Sequence, residues 1–161
     1  MTRKKPWNRT NLPVYSISSK GSGGNENMNI ITYVTAVSMK PKRFICGVYE
    51  NTKTLENVLS YPDFILQLLS ENQYSLVALL GRKSGHTIDK ISTLEKRKAV
   101  TEWQQFKILS GCLAVMQMKI IDKIEGGDHT AILCEVDAYK NIQEGSPLTL
   151  DILRKRKLIR I

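Results

Sequence analysis

Three short stretches hold residues able to bind or move charge. In "YENTKT" (49–54) a strand-like run gives way to "TLENVLSY" (54–61), where Leu55, Val58 and Leu59 repeat at helical spacing ahead of Pro62. The hydroxyls of Thr52 and Thr54, the Lys53 ammonium and the free N–H groups of a helix start together suit a phosphate group, aided by the helix dipole. Capping by either threonine, with Lys53 as surface charge, explains the same residues without a ligand. "GRKSGH" (81–86) places Arg82, Lys83 and Ser84 between glycines, a loop that also suits an anion. "EGGDHTAILCEVDAY" (125–139) puts His129 where a glycine turn enters an alternating strand. There it is either an edge residue or an imidazole aimed into a cleft. His86 sits in a polar loop and reads as a surface residue.

The usual signatures of covalent, phosphoryl or metal chemistry are missing. The chain has no Walker loop, no GxGxxG opening a helix, no GxSxG elbow and no HExxH. Cys46, Cys112 and Cys134 lie far apart in sequence, each in an apolar run, with no histidine at ligand spacing. They read as buried thiols of a reducing compartment, and no metal site is expected.

The elements that must position these residues are mostly strands. "PVYSISS" (13–19), "MNIITYVTAVS" (28–38) and "RFICGVY" (43–49) read as three strands of an antiparallel meander, with Pro41 in the second connection. A helix follows over 54–61, then "DFILQLL" (63–69), which fits strand or helix. "NQYSLVALLG" (72–81) reads as a helix with Asn72 as N-cap and Gly81 as its stop. "SGHTIDKISTLEKRK" is polar enough to predict an exposed segment with little core contact. "KILSGCLAVMQMKIID" (107–122) and "HTAILCEVDAY" (129–139) read as two long strands joined across Gly126 and Gly127. A closed or nearly closed antiparallel barrel with two or three short helices accommodates this pattern.

At 161 residues the chain is long enough to bury roughly two-thirds of its unfolded surface in one core. It divides into a basic arm over 1–12 and one domain over 13–161. No apolar run approaches a membrane span, and "MTRKKPWNRTNLP" lacks the apolar core of a secretion signal, so a cytoplasmic location is expected. The net charge of +9 is concentrated in residues 1–12, 82–98 and 151–161, each contributing +4. A nucleic-acid module spreads cations over a folded face with aromatics among them. The distribution argues against that partner, and a basic nucleic-acid-binding module is the weakest of three readings. The basic ends are solvated segments or contacts to an acidic redox protein.

Four stretches in order, "NIITYVTAVSMKP" (29–41), "GVYENTKTLENV" (47–58), "KSGHTIDKI" (83–91) and "GGDHTAILCEV" (126–136), followed by Pro147 and Leu148, make the chain resemble the flavin reductase-like family. The resemblance runs from about Pro13 to Leu158. It implies a mainly β fold, a six-stranded antiparallel Greek-key split barrel with a few short helices, assembled as a homodimer. It implies FMN, or FAD, as cofactor and NAD(P)H as electron donor, in an NAD(P)H-dependent flavin oxidoreductase. A non-enzymatic FMN electron carrier, reduced by a partner protein, is the alternative. By position, Thr32, Tyr33, Val34 and Thr35 correspond to the segment lining the flavin ring, and Asn51, Thr52, Lys53 and Thr54 to the phosphate turn. Lys83, Ser84 and Gly85 match the family's "SG" loop, with Asp89 and Lys90 ending it as structural residues. His129 matches the "GDH" histidine facing flavin and nicotinamide. Leu150 departs from the pattern, which often has an aromatic there near the cleft.

Overall fold

Alternation of apolar and polar side chains builds most of the molecule, as in "RFICGVY", where Phe44, Cys46 and Val48 are buried and their neighbours are not. The computed structural model describes residues 4–159; Arg3 and Arg160 of the two basic ends lie outside the described residues. The strands are β1 (Tyr15–Lys20), β2 (Glu26–Met28), β3 (Val34–Ser38), β4 (Arg43–Tyr49), β5 (Asp63–Leu68), β6 (Val100–Trp103), β7 (Phe106–Leu109), β8 (Ala114–Glu125) and β9 (His129–Asn141). The helices are α1 (Lys53–Ser60), α2 (Val77–Arg82), α3 (Lys90–Lys96) and α4 (Leu150–Lys155), with 3-10 turns at Pro6–Asn8 and Glu71–Leu76.

Seven strands form one antiparallel sheet in the order β2-β1-β5-β8-β9-β4-β3, and β6 and β7 pair separately. Sequence-distant strands interleave, as in a Greek key. The class is mainly β, as expected, with seven strands in the main sheet rather than six. The antiparallel pairings of the expected meander are present, β1 with β2 and β3 with β4, but its middle run is split, so that β2 and β3 occupy opposite ends of the sheet.

The run 28–38 is correspondingly not one strand. Residues 29–33 cross between the sheet's edges: Ile31 exchanges backbone hydrogen bonds with Tyr15 in β1, and Gly47 N–H of β4 donates to Tyr33 C=O at 2.7 Å. The Asn29 side chain stands in for a ladder partner by accepting from Ile17 N–H at 2.8 Å. This segment closes the barrel.

Other boundaries shift for local reasons. "DFILQLL" resolves to strand, because its residues 63–68 pair on both sides. The Ser70 hydroxyl, not Asn72, caps the turn at 71–76, and Gly81 lies inside α2. The run 107–122 breaks at 110–113, where Ser110 N–H turns to Ala99 C=O and Leu113 N–H to Leu68 C=O. The polar segment after Ser84 contains α3, which buries Ile91 and Leu94 on one face and is capped by the Asp89 carboxylate accepting from Ser92 N–H at 2.9 Å. The C-terminal stretch is not simply a solvated tail, since α4 buries Leu153 and Arg154 pairs with Asp151 at 2.8 Å.

Two buried clusters hold the fold. One, including Ile17, Phe64, Leu66, Met118 and Ile132, fills the barrel; the other, including Leu69, Leu80, Leu94, Leu109 and Leu153, lies under the helices. All three cysteines are buried and free, and Cys46 Sγ lies 3.9 Å from Cys134 Sγ. Burial pushes the Cys112 thiol up to about 11. Below pH 9 the thiol is protonated whether folded or unfolded; above it the unfolded chain ionises first, so stability falls as pH rises from about 9 to about 11. This thiol accounts for about 2 kcal/mol of that fall. Urea unfolding at pH 7, 9 and 10.5 is expected to show a shallower alkaline decline in Cys112→Ala than in wild type; parallel declines would exclude this origin.

Candidate functional site

The site is built where β4 hands over to α1. Asn51 occupies the left-handed region, with φ of 58°, which turns the chain sharply after Tyr49. Thr52 then caps α1: its hydroxyl accepts from Leu55 N–H at 3.2 Å and donates to Tyr49 C=O at 2.8 Å. The capping role foreseen as an alternative for Thr52 therefore holds, and its hydroxyl is already engaged. Leu55 and Glu56 N–H groups are taken by Thr52, which leaves the amides of Lys53 and Thr54 as helix-start donors without intrahelical partners. Thr54 is buried and accepts from Asn27 Nδ2 at 3.0 Å. Lys53 Nζ pairs with Glu56 at 2.6 Å, which holds the Glu56 carboxyl below its usual range.

These residues line one wall of a cavity of about 610 Å³, within the usual range for a small-molecule or cofactor site. Residues 29–33 form a second wall and residues 80–85 a third, so Thr32, Tyr33, Asn51, Thr52, Lys53, Thr54, Lys83, Ser84, Gly85 and His129 all face the same space. Val34 and Thr35 do not. They belong with Leu12 and Ile45 to a separate shallow depression, because strand alternation turns Val34 onto the barrel core and leaves Thr35 outside. Of the four residues assigned to the ring-lining segment, these two thus lie outside this cavity.

His129 pairs with Tyr49 across the start of β9 and the end of β4. Its ring lies 4.9 Å from both Tyr33, at 51°, and Tyr49, at 81°, within the range of aromatic contacts. Nδ1 is 2.7 Å from the Asp128 carboxylate. A carboxylate accepts, so Nδ1 is the donor in this contact. His86 stays in the surface loop, with Nδ1 3.7 Å from Glu56.

Close packing sets the third wall. A Cβ on Gly85 would lie 2.3 Å from Asn27 Oδ1 and 2.9 Å from Lys53 Cβ, so the loop can rest on β2 and α1 only as glycine. A Cβ on Gly47 would come within 3.0 Å of Tyr33 Cβ.

Sequence reasoning missed Asn27, Asn29, Gly47, Tyr49, Glu50 and Lys90, all of which line the cavity. Two asparagines inside the apolar run "ENMNIITY" were the legible signal for the first pair. Lys90, read as structural, instead reaches the cavity. Leu150 is not in it: it opens α4, with its N–H bonded to Leu12 C=O at 2.9 Å.

A cleft with amide donors, three lysines and a polar wall fits a phosphate-bearing cofactor with a planar ring. The fit rests on the glycine-only cradle at Gly85 and the helix start at Lys53 and Thr54. The model of the flavin reductase like domain matches residues 7–157. The fold is similar to that of an NADH:FAD oxidoreductase of Streptomyces globisporus (TM-score 0.79, 18% identity, covering 89% of this chain and 83% of that one). It is also similar to flavoredoxin from Methanosarcina acetivorans (TM-score 0.73, 17% identity, 88% and 76%). A Sinorhizobium meliloti protein aligns with TM-score 0.76 and 20% identity over 91% of this chain, which spans about half, 51%, of that longer one. Comparison with curated protein sequences finds no match. Among the described residues no helix is long and apolar enough to cross a membrane.

Proposed function

The chain belongs to the flavin reductase-like family, and from that premise we propose that it binds FMN, or FAD in its place, and catalyses NAD(P)H-dependent flavin reduction in the cytoplasm. The observation that carries the reading is the convergence of the α1 start, the 81–85 loop and His129 on one cavity. A bound flavin would supply the redox chemistry, as acceptor of hydride from the nicotinamide. The protein's own part is placement. The amides of Lys53 and Thr54 hold the phosphate, with Lys53 and Lys83 lending positive charge. Residues 29–33 form a wall of mixed apolar and polar groups for the ring, and His129, steadied by Asp128 and the two tyrosines, presents Nε2 to the space beside it. No acid or base has to act on the hydride, which accounts for a site rich in amides and hydroxyls and poor in carboxylates.

The exposed side chains of Tyr33 and Tyr49 at the cavity, with those of Val37 and Met39 further along the chain, support a homodimer with the site near its interface. Anaerobic mixing of the FMN-loaded protein with NADH or NADPH tests the activity. Bleaching of the flavin band is expected, and an unbleached band with both donors defeats the reductase reading. Bleaching only after a redox protein is added would select the electron carrier instead.

The phosphate assignment has its own test. Lys53→Ala combined with Thr54→Ala is expected to weaken FMN binding about tenfold, read by quenching of flavin fluorescence. Unchanged affinity would show that neither the Lys53 ammonium nor the Thr54 hydroxyl contributes to holding the phosphate.

A further inference from the structure

The three cationic stretches of the sequence meet on one side of the fold. Arg154 of α4 donates to Asn8 C=O at 3.3 Å and to Thr10 C=O at 3.4 Å, which lays the N-terminal arm, with Arg9 between those two carbonyls, against the C-terminal helix. Arg82, at the end of α2, donates to Leu158 C=O. The Arg156 guanidinium lies over the Tyr74 ring at 3.6 Å, in the 3-10 turn that leads into α2. Lys5, Arg9, Arg82, Lys155, Arg156 and Lys157 are all exposed, and among the described residues none of them pairs with a carboxylate. The carboxylates on the same elements are Asp151, tied to Arg154 at 2.8 Å, and Glu71. Trp7 stands in the same arm, 70% exposed, with the Lys5 ammonium 5.6 Å from its ring centroid.

Like charges gathered in this way repel one another, and an anionic partner offsets that repulsion. The surface also reaches the site, because Arg82 and Lys83 line the cavity. An exposed tryptophan among arginines suits a protein–protein anchor. A nucleic-acid face would interleave stacking aromatics, and here the ring of Tyr74 is covered by Arg156. Resting on the flavin reading above, we propose that this surface docks a small acidic electron-transfer protein. Trp7 is the anchor, the partner's carboxylates meet the basic rim, and Arg82 and Lys83 set the partner at the edge of the cavity. Each NAD(P)H gives up two electrons and releases one proton as it becomes NAD(P)+. A one-electron haem partner takes those electrons in two encounters, each reducing one Fe(III) to Fe(II).

Cytochrome b5, an acidic haem protein, is the probe, and the basic cytochrome c is its counterpart. Calorimetric titration of ferric cytochrome b5 into flavin-free protein is expected to show binding in about 20 mM salt that weakens about tenfold or more by about 200 mM. Cytochrome c should not bind. Arg9→Glu with Lys155→Glu should weaken cytochrome b5 binding about tenfold. Each substitution removes one positive charge and adds one negative, so the pair takes the net charge from +9 to +5. Lys123→Glu with Lys140→Glu, in β8 and β9, makes the same change and should stay within about twofold. Trp7→Ala changes no charge and should weaken binding about tenfold at either salt. Equal losses in the two charge-reversed pairs would reduce the effect to net charge, and an unchanged Trp7→Ala affinity would remove the anchor; either result overturns the proposal. So does a surface that binds duplex oligonucleotide with a steep salt slope and leaves cytochrome b5 unbound.

A second measurement follows the electrons. With flavin-loaded protein and NADH or NADPH under argon, reduction of cytochrome b5 should slow in Arg9→Glu/Lys155→Glu and in Trp7→Ala, whereas bleaching of the flavin itself should not. Reduction indifferent to salt and to these substitutions, as reduced flavin diffusing free would produce, overturns the docking and leaves the flavin reading standing. A flavin that never bleaches defeats the functional reading instead, and the calorimetry on flavin-free protein still judges the surface.

Discussion

Gly85→Ala is expected to weaken FMN binding about 10- to 100-fold while leaving the barrel folded. The added methyl would stand 2.3 Å from Asn27 Oδ1 and 2.9 Å from Asn27 Cγ, closer than such contacts ever come. Asn27 cannot swing away freely, because it is buried and its amide donates to the buried Thr54 hydroxyl. Two responses remain. Either the 83–87 loop lifts off and carries Lys83 and Ser84 with it, or Asn27 is pushed aside and Thr54 loses its partner. Each moves a wall of the cavity. Flavin fluorescence titration measures the loss, and Gly23→Ala, whose Cβ meets nothing within 4 Å, serves as the matched control. Gly85→Ala binding FMN as well as that control would show that the loop does not hold the cofactor.

His129→Ala should separate catalysis from binding. Removing the imidazole leaves the phosphate wall untouched, so FMN affinity should change by no more than about threefold, while flavin reduction by NAD(P)H slows about 10- to 100-fold. The reason is positional. The ring is fixed from three sides, by Asp128 at 2.7 Å and by Tyr33 and Tyr49 at 4.9 Å each, an arrangement that sacrifices mobility for a defined Nε2 position. Asp128→Asn should fall between wild type and His129→Ala, since an amide can still contact Nδ1 but no longer fixes which nitrogen carries the proton. Stopped-flow reduction of the loaded protein reads the rate, and equilibrium titration reads the affinity. A His129→Ala protein that loses affinity as much as rate would make the histidine part of the flavin cradle instead.

Much of this site was legible in the sequence, for reasons particular to each part. Strands such as β4 and the β8–β9 pair announce themselves because one face is buried and alternation survives. The helix start at Thr52 was visible because a hydroxyl stands ahead of a 3.6-residue apolar repeat. What stayed hidden depends on contacts between distant segments. Asn27 meets Thr54 only because β2 lies beside α1, and nothing local reports that neighbourhood. The helix α3 was obscured because two buried apolar residues, Ile91 and Leu94, are enough to dock it when the stem of a lysine fills the third inward position. Val34 and Thr35 came into the site by positional correspondence with the family's ring-lining segment, whereas here β3 begins at Val34 and the chain has already left the cavity. His129 is the reverse case: its turn-to-strand position was plain, whereas its two tyrosine neighbours come from β4 and from the crossing segment ahead of β3.

That crossing segment has a wider consequence. Residues 29–33 stitch Tyr15 to Gly47 across an otherwise open seam, and the same five residues line the cavity. The cavity and the weld that turns a curled sheet into a tube are one piece of chain, so whatever fills the cavity also props the weld. Architecture and occupancy thus share a single hinge, and a change that loosens one is felt by the other.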